Sequence, residues 1–260
     1  MEKPEEKIAV LEEVVKTPEE EAGIETGIKK IQMASWKPKT ALGKKVNAGE
    51  IKDIREILDK GIKILEVEII DLLLPNLNMA LLEVGQSKGK FGGGKRSIWR
   101  QTQKKTREGN KPKFATMVAM GNKDGYVGLG FGKAKETVPA REKAIRRAKL
   151  STIKIRRGCG SWYCACKSYH SIPFQVEGKA GSSEIKLMPA PRGTGLCVQG
   201  ECKKILELAG ITDVYSKTKG KTTTRINLLQ ACFEALKQLT KIKVKPEHIE
   251  RGGILEGSSK

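Results

Sequence analysis

A chain of 260 residues with 38% hydrophobic content is long enough for one large domain or two ordinary ones, each with a true core. Fifty Lys and Arg against thirty Asp and Glu leave a net charge of +20, which draws in polyanions and makes nucleic acid the leading partner. Asp71 breaks the most apolar run, "IIDLLLP", and the Glu-rich start is no secretory leader, so neither a membrane span nor export is expected and the location read is cytoplasmic.

Residues 1–35 contain Pro4 and Pro18 and no sustained apolar period, which reads as an acidic mobile arm. Asn47 with Glu50 as a capping pair, Ile51, Ile54, Ile57 and Leu58 on one face, and Gly61 as a stop predict a single packing helix over 47–61. Lys88 to Lys113 holds ten basic residues and one acid, with "GKFGGGKR", Phe91 and Trp99 inside it, and reads as a basic loop or hairpin arm. "FATMVAM", the turn "GNKDG" and Tyr126–Phe131 predict an antiparallel hairpin with Gly125 at positive φ.

Thr137–Leu150 predicts a helix with Pro139 tolerated in its first turn. Val138, Ala144, Ile145 and Ala148 form its apolar sector, and Lys143, Arg146, Arg147 and Lys149 its cationic side. Residues 36–157 then read as one RNA-binding domain, strands backed by a helix, preceded by a helical extension and ending at "KIRRG".

A Cys/His junction follows at 158–171, and a second domain at 172–240. Its signals are a hairpin of Ile172–Val176 and Glu184–Met188 about "EGKAGSS", with Phe174, Val176, Ile185 and Leu187 inward, and an irregular "PAPRGTGL". A helix over Glu201–Ala209 stops at Gly210; then come a strand at "ITDVY", a basic loop at "SKTKGKTTTR" and a helix over Asn227–Leu239. Residues 241–260 read as a polar tail, and Cys197, Cys202 and Cys232 as small core residues.

"GYVGLGFGK" is no phosphate loop: a Walker spacing needs Gly at 127 and Ser or Thr at 134, where Val127 and Ala134 stand, and the glycines do not fit GxGxxG. It reads instead as a strand that permits close packing or close approach of an RNA backbone. Aromatic content of 5% argues for backbone and shape recognition over base stacking.

In a reducing cytoplasm the six cysteines are expected as buried thiols or metal ligands, not disulfides. Cys159, Cys164, Cys166 and His170, spaced C-x4-C-x-C-x3-H, suit either a structural zinc tetrahedron or unliganded thiols in a loop. A catalytic Cys/His170 pair lacks an evident third, orienting group, so no enzyme and no small-molecule substrate are expected.

The run "RQTQKKTREGNKPKFATMVAMGNKDGYVGLGFGKAKETVPAREKAI", followed by "RRGCGSW", "KLMPAPRGTGL" and "LAGITDVYSKTKG", resembles small-subunit ribosomal protein five of the universal set, in its archaeal and eukaryotic branch. The likeness runs from about Val46 to Leu239, and the cysteines point to the archaeal side, since eukaryotic relatives keep a histidine like His170 but lose the cysteines. The resemblance implies an α+β fold: a double-stranded-RNA-binding-like N-terminal domain, then a ribosomal-protein-five-type α/β C-terminal domain with a left-handed βαβ crossover.

It also implies a structural constituent of the small ribosomal subunit. Such a protein binds rRNA near the decoding region, lies beside the path by which mRNA enters, touches ribosomal proteins four and eight, and supports assembly and translational accuracy. Arg100, Lys104, Lys105, Arg107, Lys111 and Lys113 are the expected phosphate contacts of the loop. Arg146, Arg147, Arg156, Arg157 and Arg192 would add a second cationic surface. The competing reading is a free-standing regulator that binds structured RNA with the first domain alone.

Overall fold

A computed structural model of the protein describes residues 36–87, 89, 96–164 and 166–258. The acidic arm at 1–35, Phe91 and most of "GKFGGGKR" lie outside the described residues.

The single helix expected from Asn47 is two helices, α1 (Ala41–Asn47) and α2 (Ile54–Asp59). The cap is Thr40, whose hydroxyl accepts the Gly43 amide at 3.0 Å, and Gly49 at φ +78° turns the chain between them, so Asn47 ends a helix instead of starting one. With α3 (Val67–Leu73) they form a small cluster of Val46, Ile54, Ile57, Ile64, Ile69 and Ile70 against Tyr126.

The first sheet holds β1 (Asn78–Leu82), β2 (Arg100–Thr106), β3 (Gly109–Gly121), β4 (Tyr126–Ala134) and β5 (Ile153–Lys154). Its order is β1-β3-β4-β5, and β2 pairs with the outer half of β3, beyond the reach of β1. Helix α4 (Thr137–Leu150) lies behind β3 and β4, with the bounds the sequence predicts. Close packing is what the glycines of "GYVGLGFGK" provide: a Cβ at Gly128, Gly130 or Gly132 would sit 2.2, 2.1 or 2.0 Å from the carbonyl oxygens of Ala148, Ala144 or Ala140. The buried helix row is therefore Ala140, Ala144 and Ala148. Val138 lies about 200° around the axis from Ala140 and is 64% exposed, contrary to its assignment to the apolar sector.

After β6 (Arg156–Arg157) and the cysteine loop, a second sheet of β7 (Val176–Ala180), β8 (Ser183–Pro189), β9 (Leu196–Cys197) and β10 (Val214–Gly220) runs in the order β7-β8-β10-β9. Helix α5 (Gly200–Ala209) joins β9 to its parallel neighbour β10, and α6 (Arg225–Lys241) packs on β7 and β8. Here the local pattern misplaces three boundaries. β7 begins at Val176, with buried Ile172 and half-buried Phe174 ahead of it, and its turn is only Gly181–Ser182. β10 runs through "SKTKG", which reads as loop because its outer half is exposed and shows no apolar alternation. Cys202 and Cys232 are buried, but Cys197 is exposed on β9.

One apolar cluster crosses both sheets, from Leu82, Met117 and Val127 through Leu206 of α5 to Ile185 and Leu236. The end of α5 meets the β3–β4 turn directly, where Lys123 and Gly125 donate to the carbonyls of Leu208 and Ala209 at 2.9 and 3.1 Å. The chain after α6 is structured over much of its described length. Helix α7 (Pro246–Gly252) and β11 (Leu255–Glu256) fold back, and β11 pairs antiparallel with β6.

Candidate nucleic-acid interface and candidate metal centre

Beyond Ala115 the β2–β3 hairpin leaves the core, and Lys104, Lys105, Arg107, Lys111 and Lys113 are all exposed, as is Arg100. Its register sets Arg100 opposite Ala115, Thr102 opposite Lys113 and Lys104 opposite Lys111. Cross-strand partners share a face and alternate along the strand, so Arg100, Lys104, Lys111 and Lys113 project from one side, while Lys105 projects from the other and Arg107 tops the two-residue turn. Like charges directly opposite destabilise a bare hairpin, and Glu108, 2.5 Å from Lys111, relieves that repulsion only in part. Such an arm is suited to a polyanion.

At the foot of the hairpin, Lys113, Lys133, Lys135 and Lys143 line one cleft with Glu136 and Pro139. Sequence reasoning misses Lys133 and Lys135; the register that sets Ala115 opposite Lys133 is what brings them to Lys113. Arg146 and Arg147 are exposed on α4, where Arg147 also donates to the Phe131 carbonyl at 2.8 Å. Arg192 is exposed in the loop before β9.

The other two arginines of the expected second surface are taken up by the protein itself. Arg157 is 3% exposed, ion-paired to Asp124, bonded to the Gly257 carbonyl at 3.2 Å and stacked over Tyr169 at 5.1 Å. Arg156 donates to the carbonyls of Leu239 and Ile242 and pairs with Glu256 at 3.4 Å. Both hold the C-terminal segment in place, Arg157 from a buried position and Arg156 from a half-buried one.

The junction loop is closed at its base by Gly158 and Ser171, whose amides and carbonyls exchange bonds of 2.9 and 3.1 Å. Within it the thiols of Cys159, Cys164 and Cys166 and a ring nitrogen of His170 all lie within 4.8 Å of one another. His170 Nε2 is 3.8 Å from Cys164 Sγ, and its Nδ1 is 2.8 Å from Asp213 Oδ2. Asp213 is an orienting group that the sequence alone does not reveal. Forty-three residues separate it from His170, so no local signal marks it.

Its carboxylate also accepts from the amides of Gly193 and Gly195 at 3.1 and 2.8 Å and from the Thr212 hydroxyl at 2.8 Å. Burial works against charge on Asp213, but the Gly195 amide, Thr212 and His170 outweigh it and hold the carboxyl below its usual range. Burial pushes the Cys159 thiol up to about 11, while the hydroxyl and amide of Ser168 draw Cys166 down to about 6. A carboxylate that fixes the far nitrogen of a histidine is an arrangement common behind metal ligands, and the four groups could hold a metal ion.

Two family models match the chain: the N-terminal domain of ribosomal protein S5 over residues 98–156 and its C-terminal domain over 178–249. The small ribosomal subunit protein uS5 of Nanoarchaeum equitans is 48% identical over 228 residues, covering 88% of this chain and 98% of its own. That of Methanosphaera stadtmanae is 45% identical and covers 85% and 91%. That of Methanothermobacter thermautotrophicus is 44% identical and covers 87% and 98%.

Proposed function

The chain belongs to the ribosomal protein S5 family and is a structural constituent of the small ribosomal subunit, and from this premise we propose that its β2–β3 hairpin is the principal rRNA contact. The carrying observation is the cationic face of Arg100, Lys104, Lys111 and Lys113 on an arm with no core of its own, with Arg107 at its tip. Lys105 serves the opposite face, and Lys133, Lys135, Lys143, Arg146 and Arg147 continue the phosphate-binding surface along the foot of the arm. Arg192 binds at the second domain. In this reading the arm lies near the decoding region and the mRNA path, ribosomal proteins four and eight are neighbours, and accuracy depends on how firmly the arm is seated.

Replacing Arg107 and Lys111 with Ala lowers affinity for small-subunit rRNA and reduces the slope of log affinity against log salt by about one for each phosphate left unneutralised. An unchanged slope in a filter-binding titration removes both residues from the interface.

Cys159, Cys164, Cys166 and His170 hold a structural zinc in the same proposal. The donor set supports it: three thiols and an imidazole pre-set by Asp213 fit a tetrahedral site, whose edges of about 3.8 Å need only a small contraction of the cluster. When bound, zinc supplies a cross-link with no open position. Purified protein then contains one zinc per chain by elemental analysis, and Cys164→Ser loses both the metal and thermal stability. Zinc well below one per chain, with Cys164→Ser melting as the parent does, overturns it.

A further inference from the structure

The four-residue spacer between Cys159 and Cys164 ends in Trp162 and Tyr163, which are 96% and 92% exposed. Adjacent aromatics held in water at a loop tip are an unfavourable arrangement for the free protein, and the remaining spacer is firmly seated. The Cys159 amide donates to the Gly252 carbonyl at 2.9 Å, and Gly160 passes so close to Pro173 that a Cβ there would lie 2.1 Å from its carbonyl oxygen.

Trp162 lines an open groove of about 730 Å³ together with Pro173, Phe174, Ile242, Lys243 and His248. Among the described residues no carboxylate lines it, and Arg156 fixes Ile242 through that residue's carbonyl. Apolar walls, an aromatic face and the Lys243 cation with no lining carboxylate match the two halves of a nucleotide, a flat base and a phosphate.

We infer that Trp162 stacks on an unpaired rRNA base seated at this groove, with its phosphate toward Lys243. This rests on the rRNA reading above and adds to the cationic arm a second, base-stacking contact at the cysteine loop.

The full chain carrying Trp36→Phe and Trp99→Phe keeps Trp162 as its sole tryptophan and reports directly. Small-subunit rRNA and oligoadenylate quench its emission, whereas a blunt RNA duplex without unpaired bases, though held by the hairpin, does not. In the parent background Trp162→Ala weakens rRNA binding about tenfold and Trp162→Phe restores most of it. Arg107→Ala with Lys111→Ala leaves the oligoadenylate quenching intact, which separates this contact from the arm. Salt-dependent rRNA binding with Trp162 emission and Trp162→Ala affinity both unchanged overturns the inference, as does quenching that appears only when other small-subunit proteins are added. Failure of the parent to bind rRNA at all overturns the broader reading first.

Discussion

Asp213 concentrates the consequences of a single side chain. It fixes His170 from one oxygen and gathers the loop of Gly193 and Gly195 with the other, so the Cys/His cluster and the second domain share one carboxylate. Because its folded-state carboxyl is held below the ordinary value near about 3.9, its contribution is complete above that pH and is lost as the pH falls through the lower, folded value. Asp213→Asn therefore flattens the acid limb of a stability profile and weakens zinc binding by about 10- to 100-fold, by analogy with other outer-shell carboxylates. A chelator competition that leaves zinc affinity unchanged separates Asp213 from the metal. None of this is legible in the sequence: the C-x4-C-x-C-x3-H spacing offers four candidate ligands in one loop, or four unliganded groups, but a partner 43 residues away is set only by the fold.

Among the elements, the β2–β3 hairpin places charge against its own stability. Lys104 faces Lys111 across the strands, so Lys104→Thr relieves a like-charge pair and raises the free protein's stability by a few tenths of a kcal/mol up to about 1 kcal/mol, while rRNA affinity falls. Denaturant melts and binding titrations of the same variant should move in opposite directions; a loss in both would mark Lys104 as structural. The legibility of elements follows the same division. Thr137–Leu150 is readable to its ends, and the glycine strand beside it is recognisable as a packing device, because burial leaves a local pattern. The outer halves of β10 and of the hairpin lack apolar alternation, so "SKTKG" reads as loop and the basic stretch as either a loop or a hairpin arm. Arg156 and Arg157 mark another limit: in sequence an arginine paired within the fold looks the same as one left for a phosphate.

At the scale of the molecule, the two sheets share one core, and the C-terminal segment is a clasp across the first of them. Ser258 reaches Asp124 and Arg55, β11 pairs with β6, and Gly253 sits so near the cysteine loop that a Cβ would meet the Lys167 carbonyl oxygen at 1.9 Å. Removing residues 246–258 lowers the melting temperature by several degrees and loosens the junction loop, measured by hydrogen exchange at Cys159, whose amide is then deprived of the Gly252 carbonyl. A melt unchanged by the truncation would show the clasp to be ornamental. The clasp also imposes an order in time. Synthesis runs from the amino end, so Arg157 is made a hundred residues before Gly257, the acceptor that completes its burial. At about 5–20 residues per second that interval lasts roughly 5 to 20 s. Throughout it the nascent first domain carries an unfinished cationic seam, and a chain that stops short of Gly257 keeps that seam open to proteases and to stray RNA.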